Sequence, residues 1–551
     1  MNENCLFKFA HWLFSLFNSD LSPNPYFSIS CMLTVTLSTK CAFALLYSAD
    51  HEQDELESKM KHNLKPTMWL LSLGLCSALV QAETDKLASF PNGEAWLNHA
   101  QQGLAPYWMM EAARGQPLGN FPTFRCDNGQ LLNVNHVCQE LNKGWITPHF
   151  GRDYTRMKSR QTYAYAVLYH LTGDAQALAL ANAGAHYLID HLQDKYNGGF
   201  ISFTENGQPG LEWQQRTSQD QAYALVGLAM LYYLTRDAQL EAVLIKQQQF
   251  IFDHYRLADD QGLAWVLKEG DGESAQQREL VAQLDQINGY LLLVAPLLPE
   301  PHRSQWLQDL SWLTEVMLTH YHHQPEQRFY GAIHHPAVMT QSAKHNDFGH
   351  TIKAYWMTYL TGSVLQNSQW QSLAKQGMRT TIRQAQYQPN WTDIAPRLPD
   401  SLAKQWQGKL VASWRNRPMS YGISSWEWAE LDQAAMTLSL LEGQLESVLA
   451  YTAPAFMQVW VDEQYGGVGL NPKSTKAFHW GNGYHQFEHA LVGYLTAQQL
   501  NQQPATLYFA FEPTEQSRLA PYYFQGHVQQ HRFTSVEGLP RLEVQFVDIH
   551  P

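Results

Sequence analysis

Between residues 90 and 500 the apolar positions recur at three- and four-residue spacing in one segment after another. This is the period of helices with a buried stripe. YAYAVLYHLTGDAQALALA (163–181) shows the pattern and its punctuation. Leu-Thr-Gly-Asp at 171–174 ends one helix and caps the next, and Leu-Thr-Arg-Asp at 234–237 does so again. The spacing predicts about twelve helices, near 90–113, 152–171, 174–193, 217–235, 237–256, 275–297, 303–321, 346–361, 366–387, 425–441, 443–460 and 482–500.

Glycine-aromatic loops recur with the helices, at 119–121, 198–200, 262–265, 329–331 and 465–468. The steps between them are 64 residues from Gly198 to Gly262, 69 to Gly331 and 135 to Gly466, the last being about two periods. Two helices and a short hairpin per repeat predict a helical array, and six such pairs close into an (α/α)6 barrel. The hairpins then gather at one rim, where the inner helices start. The barrel is expected over 83–503. Residues 504–551 alternate aromatic and β-branched positions between prolines and glycines, which predicts a small β-rich appendage without chemistry of its own.

The start of the chain reads differently. From Met60, two lysines precede an apolar run over 68–80, and Val80-Gln81-Ala82 offers a cleavage site. This predicts a signal peptide over 60–82 and a mature, exported and periplasmic protein from Glu83 that is not held at a membrane. Residues 1–59 are then an upstream segment assigned too early, or a disordered one. Two of the six cysteines, Cys126 and Cys138, survive the predicted cleavage. In an oxidising compartment they can form a disulfide.

Composition narrows the function. Charged residues make up 16% and the net charge is −13, which argues against a nucleic-acid partner. No P-loop, dinucleotide fingerprint or paired CxxC site is present in the sequence. The simplest fit is a reaction on a neutral ligand with no cofactor and no metal.

Two histidines carry the candidate chemistry. His350 lies in HNDFGHTIKAYW (345–356) and His485 in HWGNGYHQFEHALVGYL (479–495), each where a glycine-containing loop turns into an apolar helix. Facing imidazoles can pass a proton to and from one carbon near neutral pH. Asp220, Asp285 and Asp347 are each expected at a helix start as caps. If two of them instead faced one another, the chain would suit a glycoside hydrolase, and Tyr290 beside a histidine would suit a polysaccharide lyase. A third reading is a carbohydrate-binding barrel without turnover.

Residues 85–500 resemble the N-acylglucosamine 2-epimerase family of sugar epimerases and aldose–ketose isomerases. Arg160 matches the arginine of the family's Gln-x-Arg. Gly349-His350 resembles its Gly-His-x-x-Glu, and Trp426 and Glu430 its Trp-x-x-x-Glu. Asp462 to Gly467 is similar to its Asp-x-x-x-Gly-Gly, and Tyr484-His485 to its last Tyr-His. The resemblance implies a mono- or oligosaccharide substrate, with His350 and His485 as an acid/base pair and Arg160 binding the oxygen that gains charge; a homodimer is the expected assembly. It also implies that Glu430 holds a hydroxyl or orients a histidine, and that Trp426 and Trp428 stack on sugar. Two departures stand out. Lys353 replaces the glutamate after the first histidine, and Asn288 to Leu292 carries Tyr290 and Leu292 where the family has histidines. With Tyr290 and Lys353 touching substrate, the pocket is expected to favour an acidic sugar.

Overall fold

The computed structural model describes residues 87–267, 276–333, 341–342, 348–386, 424–470, 474–536 and 538–551. The chain divides into two compact units, Met1–Val80 and Gln81–Pro551, and the described residues belong to the second. The upstream segment, the predicted signal peptide and Asp347 lie outside the described residues.

Twelve longer helical runs occur among the described residues. They are α1 (Gly93–Asn98), α2 (Thr155–Thr172), α3 (Ala175–Tyr187), α4 (Ser218–Thr235), α5 (Ala238–Tyr255), α6 (Leu280–Gln286), α7 (His302–Val316), α8 (Phe348–Val364), α9 (Ser368–Gln386), α10 (Ser425–Glu442), α11 (Leu449–Ala455) and α12 (Tyr484–Leu500). The punctuation is as read. Gly173 adopts φ +68° after α2, and Asp174 accepts from the backbone N–H of Gln176 to start α3. Asp237 caps α5 in the same way.

The even-numbered helices are buried on nearly every face, whereas α3 and α5 bury one face. A helix buried all round must be enclosed by others. Contacts run from α2 to α4, from α4 to α6, from α8 to α10, from α10 to α12 and from α12 back to α2. The link from α6 to α8 is a hydrogen bond from Lys353 to Asp285. Short antiparallel bridges follow α3, α5 and α11, pairing Gln193 with Phe200, Arg256 with Leu263 and Val461 with Val468. These are the glycine-aromatic hairpins of the repeat.

The tail forms an antiparallel sheet of β1 (Ala505–Phe509), β2 (Gln525–Val536) and β3 (Leu539–His550), with β3 in the middle. Ala505, Leu507 and Phe509 of β1 and Leu542, Val544 and Phe546 of β3 turn one face into the core, at the period of a half-buried sheet. The tail is more than an appendage. Tyr169 donates to the carbonyl of Phe509, Tyr233 to that of Ala520 and Tyr523 to that of Asn288. Tyr522 thereby reaches a buried position among the inner helices and Tyr523 a half-buried one.

Candidate active site

Each inner helix brings its first turns to one cavity of about 630 Å³, within the range of roughly 300–1,000 Å³ usual for small-molecule sites. Helix α2 supplies Arg156 and Arg160, α4 Gln219 and Tyr223, α8 His350 and Lys353, α10 Trp426, and α12 His485 and Gln486. Hairpin residues Trp265, Val468 and Trp480 form the upper wall.

The two histidines share this cavity, and both pack on Trp426. Its ring centroid is 5.0 Å from that of His350 and 5.9 Å from that of His485. Gly349 makes this possible, because a Cβ there would run into the Trp426 ring. Arg160 lies over Tyr223, 3.9 Å from the ring centroid, and donates to the carbonyl of Trp480 at 3.4 Å. Its Nε is buried and has no hydrogen-bond partner, so the guanidinium keeps capacity for a ligand. Arg156, one turn earlier, pairs with Asp220 and lies 4.3 Å from the centroid of the Trp480 ring.

Lys353 is not a solvent-facing lysine. Its Nζ sits 3.2 Å from Oδ1 of Asp285, and Gln219 donates to the other carboxylate oxygen at 2.7 Å. Burial alone would raise the Asp285 pKa, but Lys353 and the Gln219 hydrogen bond hold it below the usual carboxylate range.

Beneath His485 lie two buried carboxylates. Glu430 Oε1 is 3.1 Å from His485 Nδ1, yet neither of those atoms completes a hydrogen bond. Glu488, one turn after His485, accepts from the Tyr522 hydroxyl at 2.5 Å. Burial pushes both glutamates up to about 7, and repulsion from Glu430 adds to the rise at Glu488. Burial first, then Lys353 and Arg160, holds His485 well below the ordinary imidazole range, so it is neutral at pH 7. Ligand atoms of Glu430, His485 and Glu488 lie within 4.8 Å of one another, a set able to hold a cation. The Lys353 ammonium, which acts on both glutamates, already supplies positive charge there.

Several expectations need correction. Tyr290 does not line the cavity; it is fully buried against Trp306, with ring centroids 5.4 Å apart. It lies within the π-type turn Ile287–Leu291 and packs toward α7. Trp428 is also buried, donating to the carbonyl of Thr452 and packing on Trp460, because it lies two residues and about 200° around the helix from Trp426. Asn288 bonds the Tyr484 hydroxyl and does not line the cavity. Asp285 sits well inside the helix starting at Leu280, and Thr217 rather than Asp220 caps α4. With Asp220 on Arg156 and Asp285 on Lys353, neither aspartate lines the cavity, and no facing acid/base pair forms between them. The acidic-sugar reading loses Tyr290, which is absent from the lining; Lys353 and Arg160 do line the cavity, with Lys353 paired to Asp285.

Other residues had no signal of their own. Gln219, Tyr223, Trp265, Trp480 and Glu488 acquire their places from the ring, although Trp480 and Glu488 flank His485 in sequence. Cys126 and Cys138 form a disulfide in the loop after α1.

Comparison with known proteins agrees with this architecture. Residues 142–358 match the sequence model of the N-acylglucosamine 2-epimerase (GlcNAc 2-epimerase) family, so the resemblance read from the motifs holds over that stretch. A sugar epimerase from a ruminal bacterium superposes with a TM-score of 0.57 at 13% identity, covering 74% of this chain and 98% of that one. Cellobiose 2-epimerase from Spirochaeta thermophila gives 0.56 at 15% identity, covering 77% and 98%. A D-mannose isomerase gives 0.56 at 11% identity, covering 74% and 97%. A search of curated protein sequences gave no match.

Proposed function

We propose that the chain is a carbohydrate isomerase or 2-epimerase built on an (α/α)6 barrel, working by proton transfer between His350, His485 and a sugar carbon next to its carbonyl. The observation that carries this reading is that both histidines pack on Trp426 and line one cavity that Arg160 also lines. One imidazole removes the proton from C2 of the open-chain sugar, and the electron pair moves onto the carbonyl oxygen. For the ketose, the O2 hydroxyl proton passes to O1 and a proton returns to C1; for the epimer, a proton returns to the opposite face of C2 and the O1 carbonyl re-forms. Arg160 holds the oxygen that gains charge, since a guanidinium stays cationic and offers several donors. Trp426 offers a flat face to the sugar, and Glu430 orients His485 from below.

A panel of free sugars incubated with the protein in heavy water and followed by NMR tests this. Deuterium entering at C2 together with a new ketose or epimer is the expected result. Release of smaller sugars, or binding without exchange, would reject it.

We also infer export to the periplasm with cleavage after Ala82. The support is the signal-like run over 60–82 and the Cys126–Cys138 disulfide, which fits an oxidising compartment. N-terminal sequencing of periplasmic protein should begin at Glu83.

A further inference from the structure

The cavity is lined by four cationic side chains, Arg156, Arg160, Lys353 and Lys476, and among the described residues by no carboxylate. The chain as a whole carries a net charge of −13, and that balance points to a neutral ligand. The sign of a cavity is set locally, however, by what faces it. Here the counter-ions stand behind the wall. Asp220 holds Arg156, Asp285 holds Lys353 and Asp462 holds Lys476. Glu430 and Glu488 also lie outside the lining.

Two of these cations form a unit. Arg156 and Arg160 stand one turn apart on α2, where like charges repel. Both are buried, and both meet Trp480. The Arg156 guanidinium lies 4.3 Å from the centroid of its ring, and Arg160 donates to its carbonyl at 3.4 Å. Asp220 takes only Nη2 of Arg156. Nε and Nη1 of Arg156 and Nε of Arg160 have no hydrogen-bond partner. Arg160 meets a carbonyl and two tyrosine rings but, among the described residues, no carboxylate. Buried donors left unpaired on two like charges are costly. An anion seated beside Trp480 takes up those donors through charge-assisted hydrogen bonds and offsets the repulsion.

We propose that the cavity selects a sugar acid, a hexuronate, whose terminal carboxylate is held by Arg156 beside Trp480 while Arg160 serves the reacting end. The assignment of the reacting end rests on the isomerase reading; the anion site does not. Arg156 lies one turn nearer the start of α2, toward the hairpin rim. One turn rises about 5.4 Å, close to the roughly 6 Å length of an extended six-carbon chain built from bonds of about 1.5 Å. An acid group at C6 therefore falls to Arg156 when C1 and C2 lie at Arg160. A carboxylate suits this place better than a phosphate. Arg156 already shares its charge with Asp220, and a dianion would bring more negative charge than the two guanidinium groups offset.

Calorimetric titration of matched sugars tests this: glucuronate against glucose, galacturonate against galactose and mannuronate against mannose, with glucose 6-phosphate beside them. At least one hexuronate should bind about tenfold or more tightly than its neutral partner. Arg156→Gln/Asp220→Asn removes the charge of both members of the buried pair and should reduce that preference to about twofold or less. Arg152→Gln should keep it, because Arg152 pairs with Glu205 and does not line the cavity. Neutral sugars bound as tightly as their acids overturn the proposal, as does glucose 6-phosphate bound more tightly than glucuronate. So does the absence of binding by any acid, or a preference untouched in the folded double variant. If the double variant does not fold, the wild-type comparison decides. Deuterium exchange at C2 of the same sugars separates the two readings. An acid bound without exchange rejects the isomerase alone, whereas exchange confined to neutral sugars keeps the isomerase and rejects the acid site.

Discussion

The Nζ of Lys353 and Oδ1 of Asp285 lie 3.2 Å apart with both side chains almost wholly out of water. This pair joins α8 to α6 across the ring of inner helices. A buried pair gains little over apolar packing, but one partner left alone is costly. Lys353→Met should therefore destabilise the fold by about 3–5 kcal/mol, and Asp285→Leu similarly. The double variant should recover most of the loss. Denaturant unfolding of the three variants checks this, and additive losses would show that the two groups act independently.

Stability should depend on pH in two opposing ways. Asp285 has a folded pKa below its unfolded value, so its contribution is present above about pH 4 and fades as pH falls through the folded value. Glu430 and Glu488 are raised to about 7. The unfolded chain releases those protons first, so stability falls as pH rises from about 4.3 through 7. Unfolding at pH 5 and pH 8 should show a smaller decline in Glu430→Gln/Glu488→Gln than in wild type.

His350→Ala and His485→Ala should each reduce turnover by at least about a hundredfold. The double variant should be little worse than either single one if the two act in one proton transfer as proposed. Circular dichroism and thermal melting confirm that each variant folds. More than about a tenth of activity surviving in both single variants contradicts the pairing.

Trp426 and Trp428 should separate cleanly. Trp426→Ala removes a cavity wall and should raise KM about tenfold or more while leaving stability nearly intact. Trp428→Ala leaves a hole in the core, so it should cost about 3–5 kcal/mol of stability. Calorimetric sugar titration beside thermal melting distinguishes the two.

Removing the Cys126–Cys138 bridge frees a loop closed across 12 residues. Replacing both cysteines by serine should cost about 2–3 kcal/mol in the folded protein. Equal melting of wild type with and without reductant would contradict this.

The helices were legible because burial on a stripe leaves a three-and-four spacing, and because Gly173, Asp174 and Asp237 punctuate it. The histidines were legible from their matched settings. Tyr290 and Trp428 were misread because position in a motif does not say which face of a helix a side chain takes. One lies inside a π-type turn and faces α7, and the other sits two residues from Trp426, on a different face. Lys353 was read against a family pattern, while its actual partner, Asp285, lies 68 residues earlier, a pairing that spacing does not encode. The part played by the tail was invisible for the same reason. Nothing near Tyr522 in sequence hints at Glu488, which only the folded ring brings within reach.

Tyr522 and Tyr523 stand among the inner helices at the opposite end from the hairpin rim. Among the described residues, the tail closes this end of the ring. Under the isomerase reading, a glycan chain would then dock end-on, with its terminal sugar lowered toward the histidines and the remainder trailing outside. Product must leave by the route substrate uses, so crowding at the mouth should slow both alike, and tolerance for longer saccharides should extend in one direction only.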